Sequence, residues 1–226
     1  MLSSGEFELD SFIDTPSLVL DIDILKANVN ELLKICHSHG VSLQPHAKTH
    51  RTPEIGLLQQ ELGCDGLCVA KVGEAEGFAN AGVKKITVAY PVIGVSKVER
   101  ARVLSTSIDL TLAVDSVAGA KSIGEVFAAH SQVCSVLLII DTGLGRDGVL
   151  PSDAPKIAQA INSVPGVKVV GVMTHEGTVY GAPDKVSMIA AAKKVSEMMV
   201  ETSQAINSAG VEISRVSMGS SASARV

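Results

Sequence analysis

VCSVLLIIDTGLGRDG, residues 133–148, is a run of apolar residues broken by one serine that gives way abruptly to acids, glycines and an arginine. A strand with no polar face needs cover on both sides, as parallel sheets of α/β proteins provide. Reading outward, the pattern repeats. Downstream, Pro151–Ser163 reads as a helix, Val167–Thr174 as a strand, Asp184–Ala209 as a long helix ended by Gly210, and Glu212–Met218 as a last strand. Upstream, the strands are Leu110–Val114, Lys85–Tyr90, Gly66–Ala70 and Val41–Lys48. Helices lie between them: one capped by Asp115-Ser116 and running to about His130, then Ser96–Leu104, Gly73–Asn80, and one opened by Thr52-Pro53 and stopped by Gly63. Before these come a strand at Thr15–Asp23 and a helix from Ile24 to Gly40, with residues 1–14 reading as a loose start. Short apolar strands alternating with helices predict an α/β fold of the TIM-barrel type. Counting from Val41 gives about seven barrel strands, one short of closure. Pro45 counts against a central strand at Val41–Lys48, because it removes a ladder bond.

The composition is compatible with this plan. With 226 residues and 46% hydrophobic content, the chain can bury about 70% of its unfolded surface in one core. A net charge of −5 with signs interspersed offers no basic stripe, which excludes nucleic acid as a partner. The start carries acids rather than the apolar core of a signal peptide, and no apolar run is long enough to span a bilayer. Cys36, Cys64, Cys68 and Cys134 lack metal-ligand spacing and read as free thiols in a reducing compartment, the cytoplasm.

Barrels of this kind place their chemistry where the strands end, and four ends are polar. In VSLQPHAKTHR (Val41–Arg51), strand alternation puts Ser42, Gln44, His46 and Lys48 on one side. The run at 133–140 leads to Asp141, Thr142 and Arg146; Val167–Thr174 leads to His175 and Glu176; the last strand leads to Gly219, Ser220 and Ser221. Each has a plain reading: a solvated lysine, a glycine-rich turn, a hydrogen-bonded structural histidine, a Gly-Ser turn. Their coincidence at one mouth favours function. An amine for an aldehyde, a group facing a ring, a partner for a phenolic oxygen and a Gly/Ser loop for phosphate are what pyridoxal phosphate requires. A nucleotide site fits less well, since no GxGxxG follows a strand. A zinc site on His46 and His50 would have Lys48 between its ligands.

The motifs TPSLVLDID, QPHAKTHRTPEI, VAKVGEAE, AYPVIG, AVDS, DTGLGRDGV, MTHEG and VSMGSS together resemble the alanine-racemase-like (fold-type III) pyridoxal phosphate enzymes, from Thr15 through Ala222. PHAKTH is the most specific of them and is similar to the D-threonine aldolase and D-serine dehydratase branch. The resemblance implies that Lys48 attaches the cofactor, Arg146 approaches its phenolic oxygen, His175 packs against its ring and acts in catalysis with Lys48, and Gly219, Ser220 and Ser221 hold its phosphate. It also implies a lyase acting on D-3-hydroxy amino acids, by aldol cleavage or by loss of hydroxide to give a keto acid and ammonia. Racemisation is disfavoured, since the only tyrosines are Tyr90 and Tyr180.

Members of this branch carry an eighth barrel strand and a β domain with ligands for a divalent metal, ligands that this chain lacks. The expectation is therefore a truncated chain, residues 15–226 forming the barrel domain, with Thr15–Asp23 the strand that would join the absent β domain. Open sheet edges would then invite a homodimer. The alternatives are a non-catalytic pyridoxal phosphate-binding protein of cofactor homeostasis, or an inactive remnant.

Overall fold

In the computed structural model, residues 13–225 are described. Six parallel strands form one sheet in the order β1 (Leu67–Val69), β2 (Lys85–Pro91), β3 (Asp109–Val114), β4 (Cys134–Ile139), β5 (Val167–Met173) and β6 (Arg215–Ser217). Helices α3 (Val72–Ala81), α4 (Val95–Leu104), α5 (Val117–Ala128), α6 (Ala154–Asn162) and α7 (Lys185–Ser208) make the crossovers. They follow α1 (Ile22–Ser38) and α2 (Pro53–Glu61). Local chemistry sets many of the boundaries. The Asp21 carboxylate accepts from the N–H groups of Asp23 and Ile24 to start α1, while Ser116 caps α5 and Asp184 caps α7. Gly82, at φ +118°, ends α3 in a conformation that favours glycine.

The two faces of the sheet differ as the register dictates. Leu67, Val69, Ile86, Val88, Leu112 and Val136 join Phe78, Ile123, Phe127 and Met199 in the core beneath the helices. On the other face Cys68, Thr87, Thr111 and Ser135 align in a row across four strands. That face is concave: the Arg215 guanidinium of β6 donates to Thr111 Oγ1 of β3 across 3.1 Å, and Thr87 donates to Gln44 across 3.3 Å. The result is an incomplete TIM-type barrel with a polar belt inside.

Two expected strands do not form. Val41–Lys48 makes only a single bridge, His46 to Cys68, although the carbonyls of Leu43 and Pro45 accept from Asp65 and Cys68. Pro45 has no N–H to give, and no described strand lies on its far side, so six barrel strands stand where about seven were expected. Thr15–Asp23 forms no ladder among the described residues; Leu18, Val19 and Leu20 are exposed there, and Asp21 begins a helix. The loose start expected at residues 1–14 lies, apart from Ile13 and Asp14, outside the described residues.

Candidate functional site

Lys48 lies in a short 3-10 turn, Ala47–Thr49, set directly after the His46 bridge. Ala47 is fully buried and anchors the turn, while Lys48 itself points to solvent. Its backbone N–H donates to His46 Nδ1 at 3.3 Å, and its ammonium makes no ion pair among the described residues. The bond to Nδ1 assigns the His46 proton to Nε2. Burial, then the charge of Lys48, push the His46 imidazole down to about 4, so it is neutral near pH 7; Glu74 opposes this weakly. His50 has a different task. Its Nδ1 accepts the Thr52 N–H at 3.1 Å, and its ring meets Phe78 edge-on, so it builds the junction into α2.

The loop after β4 is held by Asp141. One carboxylate oxygen accepts from the N–H groups of Gly143 (2.9 Å) and Gly145 (3.0 Å), and these bonds hold the carboxyl below its usual range. A carboxyl depressed in the folded state contributes stability above its unfolded value and loses it as pH falls through the folded one. Asp141→Asn, which keeps the acceptor and removes the titration, should therefore show a shallower loss of urea resistance than wild type below about pH 4. The loop returns through Gly148, whose φ is +97°; a Cβ there would stand 2.8 Å from the Asp141 nitrogen. Arg146 projects from the loop, half exposed, with Nε 3.4 Å from Asp147.

β5 ends in a buried hydroxyl pair. Thr174 Oγ1 lies 3.0 Å from Thr142 Oγ1 and donates to the Ile140 carbonyl at 2.8 Å, tying the β4 and β5 ends together. Thr174→Val would leave the Thr142 hydroxyl unpaired, at a cost of about 2 kcal/mol measurable by urea unfolding. His175 follows, lowered by burial, by Arg146 and by Lys48, with the Gly219 backbone and Glu176 opposing. Glu176 is buried; Ser223 donates to Oε1, and Oε2 has no partner. After β6, Gly219 adopts φ +140° and opens a turn in which Ser220 and Ser223 share a hydroxyl contact of 3.1 Å. Among the described residues, the N–H groups of Gly219, Ser220 and Ser221 make no hydrogen bond.

The structure thus brings Lys48, Arg146, His175 and Gly219 to one region, as the mutual influence of their charges and backbone on His175 records. It gives His46 a place beside Lys48 and His50 a structural one, pairs Thr142 with Thr174, and adds Glu74, Arg51 and Ser223, which sequence reading did not single out. Two cations, two imidazoles lowered first by burial and then by neighbouring positive charge, and a run of unpartnered N–H groups make a donor set that suits an anion carrying an aldehyde. A separate cavity of about 540 Å³ lies behind, between the Asp141 loop and α7, lined largely by apolar atoms; it is not where these groups meet. Among the described residues no group of three or more His, Cys, Asp or Glu is placed to hold a metal ion, and no helix is long and apolar enough to cross a membrane.

An open parallel barrel with polar side chains gathered at its strand ends is of the TIM-barrel class, which places its chemistry at the C-terminal mouth. The chain is a member of the alanine racemase, N-terminal domain family, which it matches over residues 20–225. It is similar to D-threonine aldolase of Arthrobacter sp., with 30% identity over 94% of this chain and 56% of that one. It is also similar to 3-hydroxy-D-aspartate aldolase of Paracoccus denitrificans, with 33% identity over 74% and 44%. The structure of D-threo-3-hydroxyaspartate dehydratase from Delftia sp. HT23 superposes with a TM-score of 0.87 at 30% identity, covering 95% of this chain and 57% of that one. The chain spans about half the length of the curated relatives it matches.

Proposed function

We propose that residues 15–226 form a cofactor-binding domain that attaches pyridoxal phosphate at Lys48 and serves a lyase acting on D-3-hydroxy amino acids. The observation that carries this is the solvent-facing Lys48 amine, without a carboxylate partner among the described residues, standing with Arg146 and two lowered histidines at the ends of parallel strands. Relatives named as aldolases and a dehydratase of such substrates support the class.

Each residue then has a task. Lys48 offers its amine to the aldehyde. Arg146 supplies a charge for the phenolic oxygen. His175, its imidazole lowered first by burial, would pack against the ring. Gly219, Ser220 and Ser221 present N–H groups to the phosphate, and Gly219 allows the backbone to turn there. Neutral His46 carries its proton on Nε2 and so remains a donor beside Lys48. When bound, the cofactor supplies an electron sink for the bond broken at Cα. One solved structure of a mutant of the dehydratase is described as a metal-free form, which supports metal binding in that relative. The four free thiols, three of them buried, support a reducing compartment such as the cytoplasm, and the open sheet edges support pairing with a second copy.

The test is reconstitution with pyridoxal phosphate and manganese, followed by D-threonine and D-3-hydroxyaspartate. Glycine plus an aldehyde identifies aldol cleavage; a keto acid plus ammonia identifies the dehydratase. Bound cofactor with unchanged substrates would instead support a binding protein or an inactive remnant. Sedimentation of the same sample reads the oligomeric state.

A further inference from the structure

Glu74 is a buried carboxylate in the first turn of α3, 7% exposed, with no assigned role. Its Oε2 accepts the N–H of Ala70, the residue just past β1, at 2.8 Å. Its Oε1 stands 2.9 Å from Nε of the largely exposed Arg51, a charge contact without hydrogen-bond geometry. Arg51 closes the turn that carries Lys48: its N–H donates to the Ala47 carbonyl at 2.8 Å, and it holds a left-handed backbone, φ +52°, which a non-glycine residue adopts at a cost. The start of the same turn is fixed independently by the His46–Cys68 bridge and by Cys68 N–H donating to Pro45 at 2.9 Å. The lysine turn is therefore fastened at both ends to one strand and its following helix. Glu74 is also the only carboxylate among the groups acting on His46, where the others are Lys48 and His175.

We infer that Glu74 and Arg51 are positioning residues for Lys48: the Arg51–Glu74 ion pair holds the far end of the Ala47–Arg51 turn so that the amine faces the mouth of the barrel. This rests on the reading of Lys48 as the attachment point. A surface ion pair by itself holds little, but here the carboxylate is buried and must keep a partner, and the guanidinium belongs to the turn in question. The simpler role, a carboxylate that caps α3 through Ala70, predicts an effect on stability alone.

The experiment separates the two. Wild type and variants are incubated with pyridoxal phosphate, reduced with borohydride at successive times, and the phosphopyridoxyl label is mapped by mass spectrometry. Arg51→Gly relieves the left-handed backbone while removing the guanidinium; Arg51→Gln removes the charge alone; Arg51→Lys keeps it. Labelling of Lys48 is expected to slow about tenfold in Arg51→Gly, Arg51→Gln and Glu74→Gln, its share falling relative to surface lysines such as Lys194. Melting temperature is followed in every variant so that the labelling rate is read from folded protein only, and Arg51→Lys should recover most of the rate. Arg51→Gly labelled at the wild-type rate, or Arg51→Lys as slow as Arg51→Gly, overturns the proposal. Wild type without label at Lys48 overturns instead the attachment reading on which it rests.

Discussion

Lys48→Ala should lose the visible absorption band of bound pyridoxal phosphate and all borohydride-trapped label at that position, with stability changed by no more than about 0.5 kcal/mol. The two halves of this expectation come from one observation: the side chain is exposed and unpaired, so nothing in the fold depends on it, while the turn beneath it is anchored by buried Ala47. Lys48→Arg should behave like the alanine variant, because a guanidinium stays protonated and is no nucleophile for an aldehyde, although it restores the charge. A difference between the two in residual phosphate affinity would measure what the charge alone contributes. A band that persists in Lys48→Ala would remove the attachment from this turn altogether.

Gly171→Ala should be the most damaging single methyl that can be added to the sheet. Gly171 pairs with Arg215 in the β5–β6 register, and a Cβ at residue 171 would stand 2.1 Å from the Arg215 carbonyl oxygen and 2.7 Å from its Cβ. Neither obstacle is the movable tip of a side chain. β6 is three residues long and its ladder is with β5 alone, so the strand that gives way is β6, with a cost of about 3 kcal/mol in urea unfolding. The loss should spread to the site, since Thr174 N–H donates to Ser217 at 3.0 Å and the Gly219–Ser221 turn hangs from the same strand; phosphate protection against thermal unfolding should fall with it. Gly77→Ala is the control. It lies on α3 with nothing within 4 Å of the new methyl, and should stabilise by about 0.5–1 kcal/mol.

What could be read in advance follows the length scale of the signal. The runs that became β2 through β5 announce themselves because burial on both faces keeps them mostly apolar, broken only by Thr87, Thr111, Ser135 and, at their edges, by charged residues. The cap at Ser116 acts over three residues and is visible at that range, whereas Asp21, read as part of a strand, starts α1. Thr15–Asp23 and Val41–Lys48 also read as strands, yet a strand exists only where a neighbour completes its ladder, and that neighbour is not a local property. His50 looked equivalent to His46; only the positions of Thr52 and Phe78 show that one ring supports a helix start while the other stands by the lysine. Glu74 and Arg51 are far apart in the chain and meet because β1 returns past the lysine turn, a pairing that no local pattern encodes.

The strand order has a consequence for synthesis. Each strand from β2 to β6 pairs with the one made immediately before it, so every new β/α unit emerging from the ribosome finds its template already in place and needs to close only the short loop of its own crossover. The folding front can advance at the pace of translation, with one exposed edge moving from strand to strand. The contact that spans the greatest distance across the inner face, Arg215 to Thr111 over 104 residues, can form only when the front reaches β6, so the concave face is wet until the last unit docks.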